Sequence, residues 1–147
     1  MQEFRHKLPQ IINEFLRENK TSKMATDIAV PDDKFREMYS FYKKIGKKSG
    51  MKYVNFGHIG QNHLHFNFLP SNYQESERMR PFVIAIIEKA ISFGGTISAE
   101  HGIGKIKKEY LEMLYGQEHV KQMANLKKVF DPACILNLDN IFDRKYL

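Results

Sequence analysis

The chain is short of cysteine: Cys134 is the only one in 147 residues. No intrachain disulfide can form, so the expected compartment is reducing, the cytoplasm. No apolar run approaches the roughly 18 residues that a membrane-spanning helix needs. The opening MQEFRHKLPQ has no apolar signal core, and nothing in it points to export. Internal repeats, low-complexity linkers, an arginine-rich arm and an aromatic-basic stacking motif are all missing. The phosphate-loop pattern GxxxxGK[ST] is absent too, and Lys105 after a lone GIG does not replace it.

What remains has the composition of a soluble globular domain, 42% hydrophobic and 27% charged. Its length suffices for one domain with a proper core and not for two ordinary ones. The net charge is +6. The lysines, however, are scattered in groups such as Lys43, Lys44, Lys47 and Lys48 or Lys127 and Lys128, with acidic residues between the groups. That pattern reads as a solvated surface, able to meet an anionic ligand or an acidic neighbouring domain, rather than as a nucleic-acid footprint.

Apolar periodicity predicts a first helix over 8–16, using Ile11, Ile12, Phe15 and Leu16. A short strand over 26–30 should follow, ended by Pro31. Asp32 or Asp33 should then cap a helix carrying Phe35, Met38, Tyr39, Phe41 and Tyr42, which ends near Gly46 to Gly50. Strands over 53–58 and 63–69 form a candidate hairpin. Pro81 is expected in the first turn of an apolar helix over 82–93, stopped by Gly94-Gly95. Two further helices, about 104–114 and 118–130, complete the chain before Asp131-Pro132. This order predicts an α+β fold, an antiparallel sheet with helices packed on one face.

Strand 63–69 alternates strictly. Leu64, Phe66 and Phe68 make a core face; His63, His65 and Asn67 point the other way. His58 closes the preceding strand and can approach the same patch. Strict alternation from His58 would put Val54 and Phe56 on the histidine side, and a bulge at Gly57 is the expected remedy, turning Tyr53 and Asn55 there instead. Three histidines within eight residues can hold Zn, Mn or Fe together with a carboxylate. They can equally be hydrogen-bonded to backbone or covered by a partner. In GGTISAEHGIGK (94–105), Glu100 can serve as a metal ligand and His101 as a general base. The same residues also fit an ordinary loop, with Glu100 near a helix N-terminus and His101 in solvent.

The strings FRHKLP (4–9), TDIAVP (26–31), FGHIGQNHLHFNFLP (56–70), GGTISAEHGIGK (94–105) and FDPACILNLDNIF (130–142) together resemble the C-terminal domain of FAD-linked oxidases of the vanillyl-alcohol-oxidase superfamily. The nearest group is the D-lactate dehydrogenases, glycolate oxidases and D-2-hydroxyglutarate dehydrogenases. The resemblance implies a ferredoxin-like sheet and the oxidation of a 2-hydroxy acid to a 2-oxo acid, with hydride passing to FAD. It implies that His58, His65 and Glu100 bind a divalent cation, that His101 takes the hydroxyl proton, and that Asn67 lines the substrate pocket. Arg5 is expected to pair with the substrate carboxylate, for which a guanidinium fork is suited. Asn137 falls in a tail that packs near the flavin in relatives. Where many relatives read GDGNLH, this chain reads GQNHLH, so His63 is an extra imidazole that can join or compete at the site.

Residues 1–147 are thus expected to be the substrate- and metal-side domain of such an enzyme, without the flavin-binding domain of roughly two hundred residues that relatives carry upstream. Alone, the chain should bind no FAD and catalyse nothing. Its polar sheet face should then lie exposed, like an interface lacking its partner. The alternative is a non-catalytic binding module, or a subunit working in trans with a separate flavin chain. A metal-dependent hydrolase using His58, His65 and Glu100 lacks a recognisable nucleophile or oxyanion element. A homodimer and a peripheral position on the inner face of a membrane are both compatible with a full-length enzyme of this kind.

Overall fold

The computed structural model describes residues 2–147, with side chains from Lys7 onward. Helix α1 (Gln2–Glu18) is followed by two strand fragments, β1 (Met24–Ala25) and β2 (Ile28–Ala29). Then come α2 (Phe35–Ser49), the hairpin β3 (Lys52–His58) and β4 (His63–Leu69), α3 (Tyr73–Ser92) and α4 (Lys108–Phe130). The fold is α+β, as expected.

Strand β4 lies at the centre of the sheet. On one side it pairs antiparallel with β3 along its whole length. On the other it pairs with β1 and β2, which share a single register. The ladder is interrupted between those two fragments, where the Thr26 hydroxyl accepts the Phe66 N–H at 3.2 Å. Residues 96–99 then run along the outer edge of β2, with Thr96 N–H donating to the Ala29 carbonyl and Ala99 N–H to that of Asp27. With this extended edge the connectivity is that of the ferredoxin-like split β-α-β arrangement.

Helices α2 and α3 build the main core against Leu64, Phe66 and Phe68. Met38, Tyr42 and Ile45 of α2 and Met79, Val83, Ile86, Ile87 and Ala90 of α3 fall at helical spacing, and all are buried. Tyr42 and Tyr53 both stack on the Phe66 ring, at 5.3 and 4.9 Å between centroids. Helix α1 packs elsewhere. Leu8, Ile12, Phe15 and Leu16 close a smaller apolar cluster with Leu69, Val54 and Phe56, at one end of the sheet's other face. Ile11, expected in that stripe, is 59% exposed.

Several local expectations change. No bulge occurs at Gly57, because β3 and β4 pair without interruption from Lys52 to His58. Val54, Phe56 and His58 therefore share the face of Asn67, His65 and His63. The apolar pair is accommodated by α1 rather than by a change of register. Glycine is required at position 57, where a Cβ would lie 2.5 Å from the His63 carbonyl oxygen. Neither Asp32 nor Asp33 caps α2. Both lie inside a 3-10 turn begun by Pro31, whose carbonyl accepts the Lys34 N–H. Pro81 sits well inside α3 rather than in its first turn. The true start is a capping box: the Asn72 side chain accepts from Glu75 N–H, and the Glu75 carboxylate accepts from Ser71 N–H. Pro81 gives up one helical hydrogen bond, and the buried apolar stripe after it keeps the helix intact. The two helices expected at the C-terminal end meet at Gly116 (φ 77°, ψ 160°), with the first starting at Lys108.

Candidate functional site

The site lies on the sheet face opposite the main core. His63, His65 and Asn67 stand along β4 and are 3%, 7% and 1% exposed. The expectation of an open polar face is therefore corrected: loop 96–107 closes over one end of it, and α1 covers the other. Only the rim meets solvent, where the side chains of His58, Glu100 and His101 are 48%, 41% and 60% exposed.

The pairing register places Asp27 across β4 from His65, between Ala25 opposite Asn67 and Ala29 opposite His63. The two alanines leave room for the imidazoles. Asp27 is 2% exposed, and both of its oxygens are engaged. Oδ1 lies 2.9 Å from Nε2 of His63. Oδ2 accepts from the Lys107 ammonium at 2.8 Å, the Ser98 hydroxyl at 2.9 Å, the His101 N–H at 2.9 Å and, more weakly, the Glu100 N–H at 3.4 Å. Burial by itself would raise the pKa of this carboxyl. The Lys107 ammonium, the His101 N–H and the Ser98 hydroxyl outweigh burial and hold it well below the usual carboxylate range.

His65 carries the hinge of the arrangement. Its Nδ1 is 3.3 Å from the Thr26 carbonyl and its Nε2 is 3.0 Å from Glu100 Oε1. A carbonyl and a carboxylate both only accept, so the single proton of a neutral imidazole can serve just one of these two contacts. With that proton on Nδ1, Nε2 presents a lone pair to a carboxylate oxygen. Two facing acceptors need a cation or a proton between them. Burial lowers the pKa of His65, opposed by the Thr26 carbonyl and by the Glu100 carboxylate. The Glu100 carboxylate also reaches His58 Nε2 at 3.5 Å and His101 Nε2 at 3.4 Å. The His101 ring stacks on His65, 4.8 Å away and nearly parallel. Asp27, His63, His65 and Glu100 each offer a ligand atom, all within 4.8 Å of one another.

The FAD linked oxidases, C-terminal domain, profile matches residues 1–141. The chain belongs to that family. Among curated relatives, "Glycolate oxidase subunit GlcD" of Bacillus subtilis (strain 168) is 37% identical over 125 residues, 84% of this chain and 27% of the relative. "D-lactate dehydrogenase" of Anaerostipes hadrus is 35% identical over 114 residues, 76% of this chain and 24% of the relative. "Probable D-2-hydroxyglutarate dehydrogenase, mitochondrial" of Oryza sativa subsp. japonica is 33% identical over 115 residues, 76% of this chain and 20% of the relative. The matched part of the chain thus spans about a quarter or less of these relatives. The family is one of enzymes, oxidoreductases linked to FAD. No helix among the described residues is long and apolar enough to cross a membrane.

Within this FAD-linked oxidase domain the structure brings His58, His63, His65, Glu100 and His101 together. Asn67 is on the same face but beneath the rim, its amide donating to the His65 carbonyl at 3.2 Å. Arg5 lies outside the residues whose side chains are described. Asn137 adopts a left-handed conformation (φ 49°) in the C-terminal tail, beside an apolar groove formed with Leu126, Phe130 and Leu136. That tail is joined to the site loop by one hydrogen bond, from Ile141 N–H to the Gly104 carbonyl. Sequence reasoning missed Asp27, Ser98 and Lys107. The available signal was a lone charged residue inside the β-prone stretch TDIAV, where a carboxylate is costly to bury unless it is paired.

Proposed function

We propose that this domain forms the substrate- and metal-side wall of an FAD-dependent enzyme that oxidises a 2-hydroxy acid to a 2-oxo acid, of the D-lactate or glycolate type. The observation that carries the reading is the convergence of the buried His65 with His58, Glu100 and His101 of the solvent-facing rim, in a chain of the FAD-linked oxidase family.

In this reading His58, His65 and Glu100 hold a divalent cation. The donor set fits it: His65 directs Nε2 at Glu100 while its Nδ1 is engaged by a backbone carbonyl, the usual second contact of a ligating imidazole. When bound, the cation would lower the pKa of a substrate hydroxyl and the flavin would take up the hydride. The chain's own residues do the positioning. His101, stacked on His65 and tied through its backbone N–H to Asp27, accepts the hydroxyl proton at its exposed ring. Beside His101 lies a cleft of about 470 Å³, lined also by Met24, Ala25, Ile103 and Tyr110, where Lys23 and Lys105 can supply positive charge for a substrate carboxylate. Asn67 and Arg5 contribute to the substrate side, and Asn137 to the flavin side. A flavin-binding domain completes the site and supplies the FAD.

Metal analysis of the purified chain, with His58→Ala and His65→Ala beside the parent, tests the ligand set. Loss of metal in both variants is expected, and unchanged metal content in either one overturns it. Reduction of flavin by D-lactate, glycolate or D-2-hydroxyglutarate, with the flavin-binding domain supplied, tests the reaction. His101→Ala should lower turnover by about 10²–10⁴-fold.

A further inference from the structure

Asp27 has no part in the chemistry described so far, yet it is the most heavily bonded side chain on this face. One of its oxygens engages His63 and the other gathers Ser98, His101 and Lys107, residues 71 to 80 positions away in sequence. We infer that Asp27 is a positioning residue: it fixes the Glu100–His101 loop over strand β4 and sets the tautomer of His63, with Lys107 as its counter-charge.

The geometry supports each part. The loop is flanked by Gly102 and Gly104, both with positive φ (70° and 56°), and its backbone has little regular structure to hold it. The tethers to Asp27 come from Ser98, Glu100 and His101, which bracket the two functional side chains. A carboxylate can only accept, so His63 must carry a proton on Nε2. That commits the Nε2 of His63 to Asp27 and removes it from the ligand set, while His65 alone on β4 keeps its Nε2 for Glu100. Lys107, with its side chain 14% exposed, also donates to the Ser98 hydroxyl at 2.9 Å, closing the network at the loop's far end. A buried carboxylate without such a partner would carry a large desolvation penalty.

The inference rests on the proposed roles of Glu100 and His101, and the test separates the two. In wild-type chain, long-range ¹H–¹⁵N spectra of the imidazoles should show His63 protonated on Nε2, and the His101 amide proton should be shifted far downfield by its carboxylate acceptor. Asp27→Asn, whose amide keeps a single acceptor oxygen, should lose at least one of the two signatures and weaken Zn²⁺ binding, measured by calorimetry, about 10- to 100-fold with circular dichroism unchanged. Lys107→Met should keep the His63 proton on Nε2, because it removes a partner of the other oxygen. His63→Gln, which can still donate to Asp27, should retain Zn²⁺ affinity where His63→Leu loses it. A wild-type His63 protonated on Nδ1 overturns the inference, as does a folded Asp27→Asn with unchanged Zn²⁺ affinity. Should Asp27→Asn fail to fold, the wild-type spectra and the His63 pair decide, and equal loss of affinity in Gln and Leu overturns it. Absence of Zn²⁺ binding to wild-type chain defeats the functional reading instead, and the two spectral signatures still judge Asp27.

Discussion

Strand β4 has two faces, both buried, built on opposite principles. Leu64, Phe66 and Phe68 are held by shape: two tyrosine rings stack on Phe66, and α2 and α3 close over them. His63 and His65 are held by partners: one carboxylate, one carbonyl and one rim glutamate. An apolar face tolerates any neighbour of the right volume, whereas a polar face tolerates only neighbours of the right charge and direction. The difference explains why one face can serve as scaffold and the other as site. Even the scaffold is not wholly apolar: among the described residues both polar atoms of the Asn55 amide are buried without a hydrogen-bond partner.

Substitutions on the two faces should separate accordingly. Phe66→Ala should have the largest effect, about 3–5 kcal/mol of stability, whereas His65→Ala should cost only about 1–2 kcal/mol yet abolish metal uptake. Thermal melts of the pair read this directly, and equal losses would mean that the polar face is scaffold as well. Lys107→Met should come next, at about 3 kcal/mol, because it leaves the Asp27 carboxylate buried without its counter-charge. Denaturant titration would show it, and a neutral result would mean that Ser98 and the backbone N–H groups suffice. Gly57→Ala should cost about 1–3 kcal/mol, since its methyl meets the His63 carbonyl and overpacking of this kind is not easily relieved. It disturbs both faces at once and should lower stability and metal affinity together.

The tail offers a control away from the comparison. The Asp131 carboxyl is held below the usual carboxylate range by the Lys127 ammonium and the Leu136 and Ile135 N–H groups. A depressed carboxylate adds stability above its unfolded pKa, near 3.9, and loses it as pH falls through the lower folded value. Hydrogen-exchange protection over residues 131–142, with the intrinsic pH dependence of exchange divided out, should therefore fall on acidification, and Asp131→Asn should remove that dependence while leaving the site unchanged. The smallest effect on stability is expected at the rim: His58→Ala, at a half-exposed position, should stay within about 0.5 kcal/mol. A larger loss in its melting curve would mean that His58 helps to hold the fold.

Much of the fold was legible because its signals are local. The alternation of 63–69, the glycine pair ending α3 and the Asp131-Pro132 stop all act within a few residues. The misreadings share a cause. Pro81 outweighed the Asn72/Glu75 capping box in the reading of α3, although the apolar spacing beyond it was strong enough to carry a helix through a proline. A bulge at Gly57 was expected in order to hide Val54 and Phe56 from the histidines, since nothing in the hairpin itself announces that α1, some forty residues earlier, would cover them. The site was legible as two motifs, and the distance between them in space was not.

By itself, then, the sequence determined that one strand would carry a core face and an imidazole face, and that a glycine-rich Glu100-His101 loop belonged with it. Periodicity and glycine chemistry are properties of neighbouring residues, so a chain states them directly. Only the tertiary structure decided that the imidazole face would be buried, that Asp27 would join strand to loop, and that Lys107 would balance it. A buried charge is tolerable only where opposite charge and donors converge on it, and here they arrive from residues more than seventy positions away.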